Sequence, residues 1–231
     1  MTMPWEDLDE RLSRRTRWGA IIRKQPSALL LAIQLLAILI LPWLEESESG
    51  HVVIFIVSFF AVLFAVATVR RTPAVNWLSG FLAVPAILLE VTSVVTGNQL
   101  IATIAYFALA AFYLYVAYGL IAYMFEDSWV TKDELFAVAA AFTVLLFSFA
   151  YLYLGVQGLS PNSFAGAGDG PKSFLELIYF SGANLTGCGL SDIIAVGGHA
   201  RAICTIEQLA GVLYVAMVIS RLVALTAMRN K

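Results

Sequence analysis

The chain has 231 residues, 60% of them hydrophobic and only 13% charged, against about 25% charged in a soluble globular domain. That balance excludes water as the main solvent, and a formal charge of -2 without a dense basic tract gives no sign of binding to nucleic acid by phosphate neutralisation. Cys188 and Cys204 are the only cysteines, so neither a disulfide framework nor a cysteine metal site is expected.

In chain order, Trp5, Leu8 and Leu12 recur at helical spacing among charges. Two readings stand for this N-terminal segment: an amphipathic helix on the inner leaflet, or a frayed tail. No small-residue cleavage site follows it, so the first apolar run is expected to stay as an anchor. Apolar runs at residues 27–44, 51–69, 78–95, 100–124, 134–156 and 201–228 reach the roughly 20 residues that cross a bilayer core as a helix. Between the last two lies a Gly-rich segment, residues 162–170, and then an apolar run from Phe174 that is too short to cross. A re-entrant helix is the expectation there. The predicted fold class is an all-α membrane protein with six transmembrane helices, and a re-entrant pore helix and filter loop between the fifth and sixth.

Of the 14 Lys and Arg residues, only Lys172 and Arg201 fall in the outer set of alternate loops. The inner set holds the N-terminal Arg11 to Lys24 group, Arg70, Arg71, Lys132, Arg229 and Lys231, while Arg221 sits in the last turns of the final helix. This asymmetry puts both termini in the cytoplasm. Outer loops carry Glu45, Glu46, Glu48 and Asp169 instead. Trp43 and Trp77 fall at span ends, where an indole buries its ring and keeps its N–H wet, so they read as anchors.

Ser173-Phe174-Leu175-Glu176 follows Pro171 with the spacing of a capping box: a hydroxyl at the N-cap and a carboxylate three residues on. A short helix is expected to start there, run through Leu177, Ile178, Tyr179 and Phe180, and end near Asn184. Thr186-Gly187-Cys188-Gly189-Leu190-Ser191-Asp192 follows, and a Gly-rich turn at membrane depth is tolerated only where it packs in protein or lines water.

Here the chain resembles the potassium channel superfamily, in particular bacterial six-helix members in which a YFS-type pore helix leads into TVGYGD and an inner helix. Tyr179-Phe180-Ser181 and Asp192-Ile193 match that pattern without a gap, and Ala200-Arg201, Glu207, Gly211, Leu213-Tyr214 and Arg221-Leu222-Val223 fall where such channels carry similar residues. The resemblance spans roughly the last hundred residues. It implies a homotetramer in which four loops surround an axis and backbone carbonyls replace the water shell of an ion.

The gapless register sets Gly187-Cys188-Gly189-Leu190-Ser191-Asp192 against TVGYGD. The innermost hydroxyl is lost at Gly187, Leu190 supplies no phenolic hydrogen bond, and Ser191 takes a glycine's place, where a positive φ costs about 1 kcal/mol or more. Potassium selectivity therefore does not follow. A register shifted by two residues, with Gly187-Cys188-Gly189 against GYG, is the alternative.

Four re-entrant helices aiming their C-terminal partial negative charges at a central cavity favour cations. Asp192 has two compatible readings, an acidic ring at the outer mouth or a brace for the loop. For Cys188, a packed small side chain is favoured over a soft metal ligand or redox switch, because a residue whose carbonyl points inward turns its side chain away. Glu176 and Glu207 lie in apolar stretches, where a carboxylate needs a partner or water. The resemblance implies that they brace the filter from behind, with a solvent-facing Glu207 as the alternative. Gly211 is either a gating hinge, as the resemblance implies, or a close helix contact.

No Lys or Arg lies between residues 100 and 124, whereas a voltage sensor moves several charges, each worth about 2.3 kcal/mol per 100 mV. Steep voltage gating is not expected. Glu90, the acid of the third span, reads as hydrogen-bonded to a neighbouring helix rather than as a cation or proton site. His51 and His199 lie near span ends, His199 as a surface residue, and no HExxH, Gly-x-Ser-x-Gly or P-loop pattern is present, so an enzyme is not expected.

The expectation is a cytoplasmic segment over 1–26, a four-helix peripheral domain over 27–124 and a pore domain over 134–231. Together they form a passive cation channel of the plasma or inner membrane. Thr186 to Asp192 form its filter, potassium or sodium is its permeant ion, and it needs no cofactor or metal. A non-conducting scaffold or sensor that keeps the channel fold is the alternative, and a secondary transporter ranks third because no repeat or substrate site is evident.

Overall fold

The computed structural model describes residues 26–45, 76–126, 132–166, 168 and 170–229. The predicted span at 51–69, the segment around Trp5, Leu8 and Leu12, and most of the basic residues that set the orientation lie outside the described residues.

Helix α1 spans Pro26–Glu45, with proline at the first position, where its missing N–H has no intrahelical acceptor to lose. Helix α2 spans Asn76–Thr96 and tolerates Pro85 inside it. Its hydroxyls turn back on their own helix, Thr92 Oγ1 to Leu88 O at 2.6 Å and Thr96 Oγ1 to Thr92 O at 2.7 Å, which keeps polar groups satisfied on an apolar surface. The turn into α3 (Gln99–Glu126) takes two residues. Gly97 ends α2 with a φ of 64°, its N–H bonding Ser93 O at 2.9 Å. Asn98 then caps α3, with Oδ1 accepting from Leu100 N–H at 2.9 Å.

Helix α4 spans Lys132–Leu159 with Asp133 and Glu134 in its first turn, where carboxylates suit the positive end of the helix dipole. It packs lengthwise on α3 through small and aromatic residues. Ala137, Ala140, Ala141 and Ala150 are buried opposite Ala110, Phe112, Val116 and Leu120, and Ser148 Oγ donates to Ala110 O at 2.9 Å. Close backbone approach and polar ties of this kind drive helix association where lipid removes the hydrophobic incentive.

After α4 a 3-10 turn, Pro161–Ser163, leads into β1, Phe164–Gly166. Strand β1 pairs antiparallel with β2, Ile193–Ala195, in the register Phe164 to Ala195, Ala165 to Ile194 and Gly166 to Ile193. Gly166 has a φ of 92°, and a Cβ there would lie 1.8 Å from Asp192 O, so this crossing admits only glycine. Helix α5 spans Phe174–Leu185 and α6 spans Gly198–Arg229. At 12 residues α5 is about 18 Å long, well short of a bilayer core of about 30 Å.

Among the described residues five helices, α1 to α4 and α6, are long and apolar enough to cross a membrane. The chain is mostly helical and is a multi-pass membrane protein. Each of these five helices begins and ends within three residues of the run predicted for it.

Candidate functional site: a capped short helix and its loop

The short helix is set by its own sequence. Ser173 is its N-cap, with Oγ accepting from Glu176 N–H at 3.2 Å while Glu176 Oε2 accepts from Ser173 N–H at 2.6 Å. Both halves of the predicted capping box are present. Glu45, at the end of α1, adds a second carboxylate that sequence reasoning placed in an outer loop. It accepts from Ser173 Oγ at 2.8 Å and from Leu175 N–H at 3.0 Å. Just upstream, Gln157 and Lys172 exchange two bonds, Lys172 N–H to Oε1 at 2.7 Å and Nε2–H to Lys172 O at 2.9 Å. These hold the incoming chain against α4.

One face of α5 is buried through Leu177, Ile178, Phe180, Ser181, Ala183, Asn184 and Leu185. Tyr153 of α4, Phe164 of β1 and Phe180 of α5 meet edge to face, with ring centroids 5.0 to 5.6 Å apart, the arrangement aromatic quadrupoles favour. Beneath them lies Glu207 of α6, 0% exposed. Tyr153 Oη donates to Glu207 Oε2 at 2.5 Å, and Ser181 Oγ donates to Oε1. The solvent-facing alternative for Glu207 is excluded by this burial: the carboxylate joins α4, α5 and α6. At the next residue of α6, Gln208 Nε2 donates to Asn184 Oδ1 at 3.0 Å.

Gly211 explains how α6 comes so close. A Cβ at this position would sit 1.9 Å from Leu185 O, the last carbonyl of α5, and α6 continues through it as helix. Lower down, Tyr214 Oη donates to Val138 O at 2.5 Å. Arg221 Nη2 lies 3.8 Å from Glu134 Oε2, and its guanidinium sits 5.2 Å from the Phe125 ring centroid.

At the C-terminal end of α5, Thr186 Oγ1 donates to Gly182 O at 2.6 Å, Gly187 N–H to Asn184 O at 3.0 Å and Gly189 N–H to Ala183 O at 2.9 Å. The left-handed positions are Gly187 and Gly189, with φ of 73° and 65°. Ser191 then turns the chain into β2, its Oγ accepting from Ile193 N–H at 3.1 Å. In the protomer Thr186, Gly187, Cys188, Gly189 and Leu190 are all exposed, Leu190 at 77%. Asp192 is exposed and its carboxylate makes no hydrogen bond among the described residues.

Thr186 to Asp192 thus form one continuous loop; Glu207 meets α5 at Ser181 and Gly211 meets it at Leu185, next to the loop, while Glu176 lies at the opposite end of α5. Glu90 lies inside α2. It is buried, and its Oε2 has no hydrogen-bond partner among the described residues. The described residues hold no group of three His, Cys, Asp or Glu side chains placed to bind a metal.

Comparison with curated proteins and with solved structures found no match. A family model described as ion channel matches residues 139–227, a stretch that begins inside α4, includes α5 and its loop, and ends in α6. Over residues 139–227 the chain is similar to that ion-channel family.

Proposed function

We propose that four copies of the chain assemble around an axis and conduct cations passively, each giving α5, the Thr186 to Asp192 loop and α6 to the pore. The observation that carries this reading is a short capped helix between two long apolar helices, followed by a loop with left-handed glycines at 187 and 189, inside the matched ion-channel domain. One such loop cannot encircle an ion, and its exposure in the protomer fits a surface that copies of the chain cover. Gly187 and Gly189 are the pair that the shifted register sets against GYG, so their backbone favours that register over the gapless one. In it, Cys188 takes the place of the family's tyrosine.

The carbonyl end of α5 favours cations over anions. The absence of Lys and Arg from residues 100–124 supports an opening stimulus other than steep voltage sensing. Both termini are cytoplasmic in this reading, with six spans, the second at 51–69, in the plasma or inner membrane. Residues 134–231 form the pore domain and 27–124 the peripheral domain, with Gly211 as the contact that fixes α6 against α5.

Single-channel recording of the purified protein in planar bilayers, with potassium, sodium, calcium and chloride compared, tests the proposal. Unitary cation currents with little chloride permeability support it. Absence of current of any ion from an intact tetramer would leave the scaffold reading, which the replacement of the family's threonine and tyrosine side chains favours.

A further inference from the structure

Helix α5 carries a complete capping box of its own, and yet a carboxylate from a helix 128 residues earlier in sequence also reaches its first turn. The helix that brings it is held at three levels, all to partners at or beyond residue 133. At its start, Ser27 N–H and Oγ–H donate to the two oxygens of Asp133 at 3.1 and 3.0 Å. Midway, Gln34 Oε1 lies 2.6 Å from Thr143 Oγ1. At its end stands Glu45, on Ser173 Oγ and Leu175 N–H. With 20 residues, α1 is a strut of about 30 Å lying along α4.

The two ends of α5 are suspended differently. Its C-terminal half hangs on α6, through Ser181 to Glu207, Asn184 to Gln208, and Leu185 against Gly211. Its N-terminal end rests on α4, where the Phe174 ring lies 4.7 Å from that of Tyr151, and on α1 through Glu45. A displacement of about 1 Å at one end of an 18 Å helix tilts it by about 3°, and the tilt of α5 sets where its terminal carbonyls and the following loop point.

We propose that Glu45 is a positioning residue for the ion pathway: through it, α1 clamps the N-terminus of α5 from outside the matched domain and fixes the aim of the loop. The consequence for ion flow rests on the channel reading above, whereas the clamp itself does not. The test uses the purified full chain with Glu45→Ala, Glu45→Gln and Asp133→Asn. Hydrogen exchange at the amides of residues 174–177 is measured first. Glu45→Ala is expected to raise exchange at Leu175 about five- to thirtyfold, the effect of losing a helix cap. Glu45→Gln keeps an oxygen acceptor for Leu175 N–H and restores most of the protection, and Asp133→Asn, at the far end of α1, leaves residues 174–177 unchanged.

Reversal potential and open probability are then recorded on the same variants at equal subunit count. Glu45→Ala changes the cation permeability ratio read from the reversal potential, or the open probability, by twofold or more, and Glu45→Gln returns it toward wild type. Unchanged exchange in Glu45→Ala overturns the clamp. Raised exchange with unaltered permeation overturns the positioning role and leaves a plain structural cap. A wild-type protein that passes no current overturns the channel reading, while the exchange measurement still decides the clamp.

Discussion

Replacing Gly211 by alanine separates two explanations of this residue, because they predict opposite signs. A Cβ at 211 would lie 1.9 Å from Leu185 O, whereas contacts of 3.0 to 3.4 Å are already at the tight limit. Accommodating it requires α6 to withdraw from α5 by more than 1 Å, and the contacting atom is backbone, which has no rotamer to change. Overpacking of this kind costs about 1–3 kcal/mol, and a rigid carbonyl puts the substitution at the upper end. Alanine returns up to about 1 kcal/mol through its helix propensity, leaving a net loss of about 2 kcal/mol. For a chain of this size that lowers the melting temperature by about 4–8 °C. Gly80 on α2 is the internal control, since nothing among the described residues lies within 4 Å of a Cβ built there, and Gly80→Ala should be neutral or stabilising. The assay is thermal unfolding of both variants in the same detergent, with oligomer size checked by light scattering. If Gly211→Ala melts at or above the wild-type temperature and alters only channel opening, the contact argument fails and the hinge explanation stands.

Tyr153→Phe leaves Glu207 Oε2 buried without its donor, and the expected loss is about 1–3 kcal/mol. Ser181→Ala should lose a similar amount, and the double variant should lose less than the sum, because both act on one carboxylate; denaturation of the three proteins checks this. Glu90→Leu removes a buried oxygen that has no partner among the described residues, so it should raise the melting temperature by a few degrees. A fall would contradict the reading of Glu90 Oε2 as unpartnered among the described residues.

Features encoded within a few residues were readable from the sequence alone. The α5 start was legible because Ser173 and Glu176 lie one turn apart, and the apolar spans were legible because lipid demands about 20 residues of one character. What escaped depends on distance along the chain. Glu45 meets Ser173 across 128 residues and Tyr153 meets Glu207 across 54, and no local pattern marks either pair. Strands β1 and β2 have three residues each, too few for an alternation to register. Glu207 was flagged as an acid in an apolar stretch, yet only the folded chain shows that its two oxygens face one hydroxyl from α4 and one from α5. Gly211 admitted two explanations because sequence gives a glycine without its neighbour, and the Leu185 carbonyl is that neighbour.

The central claim is that the loop after α5 meets its copies around an axis and coordinates ions there. A density map of the purified assembly in lipid nanodiscs, solved with and without potassium, tests it most directly. Four protomers are expected, with residues 187–191 facing a shared axis and ion density beside their carbonyls. A lone protomer, or a loop lying flat on the outer surface away from any axis, would contradict it.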